Sequence, residues 1–364
     1  MRKPLLAALV LAACGDPSPA GFSTGPGVTT APASTAASST GGGTSTTGPA
    51  DDSAGPGNAE GSMSTGVLRD VGTDDDFGPT QPEGCKGKVD LLFLISSLGT
   101  MKTEQAQLLA SFPGFVATIQ EKLADFDVHI MVANPIGKWP GWVCEKGCND
   151  DPQTCAAYGY QCNVYPKLIT PCDETLGAGL TFNAGGYAAN RQCELFGGNR
   201  YIVSGEPDMN DALECIAKVG VSGGDPPMGD ALIAALAPKI NAEGGCNAGF
   251  LRDDALLVVA IINDTYDTES TSWPYQQYKA VVDAKGGDPN AVVVLGVTPQ
   301  PLKEGVPEDP GCTYDTLPAE NKMRQLLEKF PNYVAGDICA PSFAPYFDQA
   351  ADLIGEACGK FVPQ

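Results

Sequence analysis

From Cys85 onward the chain alternates short, continuously apolar runs with longer segments whose apolar residues recur every three or four positions. Residues 89–95, V-D-L-L-F-L-I, have the near-unbroken apolarity of a strand buried on both faces, as parallel strands are when helices cover both sides of a sheet. Residues 101–123 follow with Leu108, Phe112, Phe115, Val116, Ile119 and Leu123 on one helical face. The same reading predicts strands at 127–133, 201–203, 255–262, 291–297 and 333–334. It predicts helices at 208–219, 228–236, 273–283, 319–330 and 343–357. Such alternation specifies an α/β class with a doubly wound, mostly parallel central sheet flanked by helices.

Two stretches break the pattern. Residues 135–200 carry Cys144, Cys148, Cys155, Cys162, Cys172 and Cys193, together with Trp139 and Trp142. A long irregular stretch inside a compact domain marks a functional insertion, here a disulfide-rich one. Residues 15–82 are dominated by Gly, Ser, Thr, Pro and Ala. They hold too little apolar surface to offset chain entropy and are predicted to form a disordered linker. A flexible coil of roughly 70 residues has a root-mean-square span of about 45 Å. The domain plan is therefore 1–14, a signal and anchor; 15–82, a linker; and 83–364, the α/β domain with its insertion at about 135–200.

The first fourteen residues set the address. Arg2 and Lys3 precede a short apolar run, and Leu11-Ala12-Ala13-Cys14 closes it. The run is too short to cross a bilayer, which takes roughly 20 apolar residues. The segment resembles the lipobox of bacterial lipoproteins, and the resemblance implies a cleaved signal peptide and a lipid on Cys14. Gly15, rather than Asp, follows that Cys. By the same resemblance the chain belongs to the cell envelope, in the outer membrane rather than the inner, facing the periplasm or the surface.

With Cys14 assigned to lipid, twelve of the 13 cysteines remain: Cys85, Cys144, Cys148, Cys155, Cys162, Cys172, Cys193, Cys215, Cys246, Cys312, Cys339 and Cys358. An even number in an exported chain reads as a disulfide framework. Zinc would require tight Cys-x2-Cys pairs or companion histidines, and the single histidine is His129. Spacing does not fix the connectivity, although Cys85 and Cys358 bracket the folded region and are placed to close it. The formal charge of -22 repels phosphate backbones and anionic bilayers, which excludes nucleic acid as a partner.

After the first apolar strand the chain reads Ile95-Ser96-Ser97-Leu98-Gly99-Thr100-Met101 and enters a helix. Later come Gly223-Gly224-Asp225-Pro226-Pro227-Met228-Gly229-Asp230 and an apolar strand ending at Asn263-Asp264. In their order these segments resemble the von Willebrand factor type A (vWA) domain. There, three strand-end loops hold one divalent cation, and the ligand's carboxylate completes its octahedron. The resemblance puts Ser96 where the family has Asp, Leu98 where it has Ser, and Thr100 where it has a second Ser. Asp225 or Pro226 falls at the second loop and Asp264 at the third.

Leu98 offers no oxygen and Ser96 no charge, whereas Mg2+ demands near-ideal oxygen geometry. The expectation is a degenerate site and no cofactor, with weak divalent-cation binding through Thr100, Asp225 and Asp264 as the disfavoured alternative. Ligands of doubly wound sheets sit beyond the carboxyl ends of the strands. Ser96, Ser97, Thr100, Asp225 and Asp264 are therefore candidate binding residues. Trp139 and Trp142 are candidate anchors for a protein or other macromolecular ligand, or else they pack within the insertion.

These observations point to metal-independent macromolecular binding or adhesion, not to an enzyme. A structural envelope-assembly component without a free ligand is the first alternative, and a hydrolase with an unrecognised site the second. No Gly-x-Ser-x-Gly elbow is present, and His129 sits inside a strand, where a structural role fits better than that of a base.

Overall fold

The computed structural model describes residues 84–361 apart from 86, 140–167, 222–223 and 306. Cys14, the linker, Trp142, Cys144, Cys148, Cys155 and Cys162 lie outside the described residues.

Six strands form the central sheet: β1 (Lys88–Ile95), β2 (Asp127–Ala133), β5 (Ile202–Val203), β6 (Leu256–Ile262), β7 (Val292–Thr298) and β8 (Tyr333–Asp337). Their spatial order is β5-β2-β1-β6-β7-β8, and all pairs are parallel except β2 with β5. A separate two-residue pair, β3 (Phe182–Asn183) with β4 (Arg191–Gln192), forms a small antiparallel hairpin. Among the described residues the α-helices are α1 (Lys102–Lys122), α2 (Met209–Ala217), α3 (Met228–Leu236), α4 (Pro238–Asn241), α5 (Pro274–Asp283), α6 (Lys322–Leu327) and α7 (Ala344–Cys358).

The two-residue period of the strands sorts the core into two layers. Val89, Leu91, Phe93 and Ile95 of β1 pack with Val258 and Ala260 of β6 against Phe112, Phe115 and Ile354. Leu92 and Leu94 point the other way, with Val259 and Ile261, against Met228, Leu232, Val281 and Leu326. Phe93 meets Phe112 and Phe115 edge-on at 6.2 and 5.8 Å, locking β1 to α1. Both faces are thus covered, which is why β1, β6 and β7 read as apolar without alternation.

Four disulfides lie among the described residues: Cys85–Cys358, Cys172–Cys246, Cys193–Cys215 and Cys312–Cys339. The first joins the two ends of the α/β unit. The second and third tie the insertion to the body of the domain: neither Cys172 nor Cys193 pairs with another cysteine of the insertion. Arg200 adds an ion pair at 2.5 Å to the buried Asp173 and donates to Gly179 O at 2.8 Å.

Several elements depart from the sequence reading. The segment predicted as helix over 319–330 is helical only over Lys322–Leu327, because the Asn321 side chain accepts from Arg324 N at 3.0 Å and starts the helix there. A 3-10 turn, Gly99–Met101, precedes α1 and delays its start to Lys102. The last strand extends through Asp337, its register with β7 running from Tyr333 to Asp337.

Candidate functional site at the carboxyl ends of the strands

Parallel strands with helical crossovers put every strand's carboxyl end, and every following helix's start, on one side of the sheet. Three segments meet there: the turn after β1, the approach to α3, and the loop after β6. Thr100, exposed in the turn, lies close enough to Asp264 for its hydroxyl to oppose the upward shift of that carboxyl. Thr265 Oγ1 donates to Asp225 Oδ1 at 2.9 Å. The candidate residues Thr100, Asp225 and Asp264 are thus brought together.

The loop after β6 also builds the start of α3. Asp267, wholly buried and at a backbone φ of 59°, accepts from Met228 N at 2.9 Å and Gly229 N at 3.2 Å. These amides are among those a helix leaves unpaired at its first turn. Ser270 Oγ donates to Asp267 at 2.7 Å and accepts from Gly229 N at 2.9 Å. A side chain on Gly229 would force Gln277 to shift and crowd Asp267, so glycine suits the place where α3 meets this loop. In return, Asp230 accepts from Thr271 N and Ser272 N, both at 2.9 Å.

The carboxylates here separate electrostatically. Burial pushes Asp225 and Asp264 above the usual range, against the Thr265 and Thr100 hydroxyls. Burial also raises Glu104, at the start of α1, and the nearby Asp264 adds to the effect. Asp267 is pushed up to about 6 by burial, which outweighs its hydrogen bonds from Ser270, Gly229 and Met228. Burial opposes ionisation of Asp230 too, but the groups of Ser272 and Thr271 outweigh it and hold that carboxyl low. One oxygen each of Asp264 and Glu104 is buried without a hydrogen-bond partner.

The remaining candidates are placed differently. Ser96 is fully buried; its hydroxyl accepts from Leu98 N at 3.3 Å and its carbonyl from Gln105 Nε2 at 2.8 Å. The Ser97 hydroxyl turns inward, toward the insertion. Trp139 is 5% exposed and lies on Phe182, ring centroids 5.7 Å apart. That is the core-forming alternative of the two weighed for it, with Phe182 as the surface it covers.

These residues do not fit an octahedral divalent cation. Leu98 supplies no oxygen, Ser96 carries no charge, and its fully buried hydroxyl already accepts from Leu98 N. Among the described residues, no group of three or more His, Cys, Asp or Glu is arranged to hold a metal ion.

Sequence reasoning missed the aromatics of this side. Tyr187, from the insertion, is 59% exposed at a backbone φ of 63°, with Lys102 Nζ 4.6 Å from its ring centre. Trp273, just before α5, is 65% exposed, with Lys322 Nζ 5.3 Å from its ring centre. The left-handed backbone at Tyr187 costs about 1 kcal/mol or more, and such strain concentrates at functional surfaces. Tyr187 lies in an irregular stretch with no periodic signal, and Trp273 at the start of a predicted helix had nothing to mark it as exposed.

At the opposite end of the sheet, Asp90, inside β1, accepts from Arg252 N at 2.7 Å and Arg252 Nε at 2.8 Å. His129 Nδ1 lies 3.0 Å from Phe250 O and 3.7 Å from Asp90, and burial lowers its pKa. A neutral imidazole bonded to a backbone carbonyl is a structural histidine.

In comparisons with known proteins, neither a family model nor a curated protein sequence matches this chain. Among the described residues no helix is long and apolar enough to cross a membrane.

Proposed function

We propose that this chain is a cell-envelope lipoprotein, anchored through Cys14 in the outer membrane, whose linker presents a vWA-like domain for binding a protein or other macromolecular ligand. Recognition takes place at the carboxyl-end side of the sheet, without a metal ion. The observation that carries this reading is the convergence of the turn after β1, the start of α3 and the loop after β6. The last two are joined by the Thr265–Asp225 hydroxyl–carboxylate bond, and Thr100 of the turn lies beside Asp264.

The insertion supports the same reading. It leaves from the carboxyl end of β2, where Asn134 and Gly177 are backbone-bonded, and two disulfides fix its later part to the body. Tyr187 and Trp273 supply exposed aromatics of the kind that dominate binding energies at interfaces.

Photo-crosslinking in the native envelope tests this. A photoreactive residue at Tyr187 or Trp273 is expected to give a discrete adduct of higher mass. The same residue at Glu328, exposed beyond α6, is expected to give none. Equal labelling at all three positions, or none at any, would overturn the assignment of the binding surface.

A further inference from the structure

Ser97, Asn134, Pro135, Ile136, Leu180, Asn183 and Val219 line a small recess at the junction of β1, β2 and the insertion. To a water-sized sphere it offers about 10 Å3. One buried water needs on the order of 10–15 Å3 and two to four polar partners.

Two polar atoms of its lining lack a protein hydrogen bond. Ser97 Oγ, in a residue 2% exposed, is one, and Asn183 Oδ1, in a residue 0% exposed, is the other. The orientation of the Asn183 amide is set on its other side, where Nδ2 donates to Ile216 O at 3.2 Å. Its carbonyl oxygen is therefore the atom left over. The Asn134 side chain is already occupied: Nδ2 donates to Asp173 O at 2.9 Å, and Oδ1 accepts from Ile136 N at 3.0 Å. An unsatisfied buried polar atom costs about 1–3 kcal/mol, and two on one recess are seldom left so.

We propose that this recess is a structural water site in which one water bridges Ser97 Oγ and Asn183 Oδ1. The water accepts the Ser97 hydroxyl proton and donates one of its own to the Asn183 carbonyl. Both protein atoms are neutral, so the site suits water and not a cation. The bridge couples the turn after β1 to the β3–β4 hairpin, making one unit of the turn and the insertion. This inference is independent of the proposed function; its failure would leave the binding surface as described.

The test is a crystal structure of the oxidised chain at a resolution that shows ordered water, with a double-mutant cycle on the same chain. The expected density is a single sphere about 2.6–3.2 Å from both atoms. Direct contact of Ser97 Oγ with Asn183 Oδ1, an empty recess, or contacts near the roughly 2.1 Å of a bound Mg2+ would each overturn the proposal. In the cycle, Ser97→Ala and Asn183→Ala each remove one partner of the same water. The unfolding constant of the double variant is expected to fall about tenfold or more short of the product of the single effects. Additive effects would overturn the bridge.

Discussion

Arg252 grips Asp90 twice, through its backbone N–H at 2.7 Å and its Nε at 2.8 Å, while its Nη1 reaches Asp127 at 2.6 Å. Asp90 is fully buried inside the first strand of the sheet, and Lys285 completes the group by donating to Arg252 O at 2.6 Å. Removing one member of a buried pair costs about 3–5 kcal/mol, because the other charge is left without compensation. Arg252→Met is expected to lower the stability of the oxidised chain by about that much. Asp90→Asn/Arg252→Met together should cost less than the single Arg252 substitution. Urea unfolding of Arg252→Met, Asp90→Asn and the double variant checks this, and additive losses would show that the pair is not coupled.

The Asp267 carboxyl stands at about 6 in the fold against an ordinary 3.8, so folding disfavours its ionised form. Its favourable contribution is complete below about pH 4 and is lost as the pH rises through 6. The difference corresponds to about 3 kcal/mol at neutral pH. Asp267→Asn is expected to flatten the stability profile between pH 4 and 7 while leaving other groups to titrate. Denaturant midpoints at several pH values measure it, and an unchanged slope would remove Asp267 as the source.

Calorimetric titration of Mg2+, Mn2+ and Ca2+ into the natural chain is expected to show no heat of binding. The same titration of Ser96→Asp/Leu98→Ser, which restores the missing oxygens at the turn after β1, is expected to show saturable binding. Micromolar binding by the natural chain would make cation-bridged adhesion the mechanism in place of the metal-free one.

The Cys85–Cys358 bond closes a sequence separation of 273 residues. A cross-link over so long a loop contributes about 3–5 kcal/mol by restricting the unfolded chain. Cys85→Ser/Cys358→Ser is expected to lose that much in urea unfolding, with the other three described disulfides intact. Cys312→Ser/Cys339→Ser, across a separation of 27, should lose less by the same mechanism.

Cys14→Ser is expected to abolish incorporation of labelled palmitate and to release the chain from the membrane fraction. An unmodified chain that still sediments with membranes would point to a different anchor.

What the sequence revealed follows physical lines. Residues 127–133 and 228–236 read at their observed bounds, because one is a β-branched-rich stretch that ends before Asn134 and the other starts right after a Pro-Pro pair. The hairpin Phe182–Asn183 with Arg191–Gln192 was invisible, since two-residue strands have no period to detect. At the candidate site, Asp225 and Asp264 were found through a resemblance. The part played by Asp267 was not legible. Its role depends on backbone amides 38 and 39 positions away, and no local pattern announces a helix capped from that distance. Arg252 is likewise 162 positions from Asp90, although a lone Asp inside an apolar strand was itself a signal of a buried partner.

Because Cys85 and Cys358 are covalently joined, nearly all of the α/β domain is a closed ring with two short tails. A pull applied at the two tails passes through the sulfur–sulfur bond and bypasses the sheet. Stretched between its two tails, the oxidised domain therefore pays out almost no chain, whereas the reduced domain could pay out all 273 residues of the separation. The bond acts as a mechanical stop for a domain that, as we propose, is held to a membrane at one end.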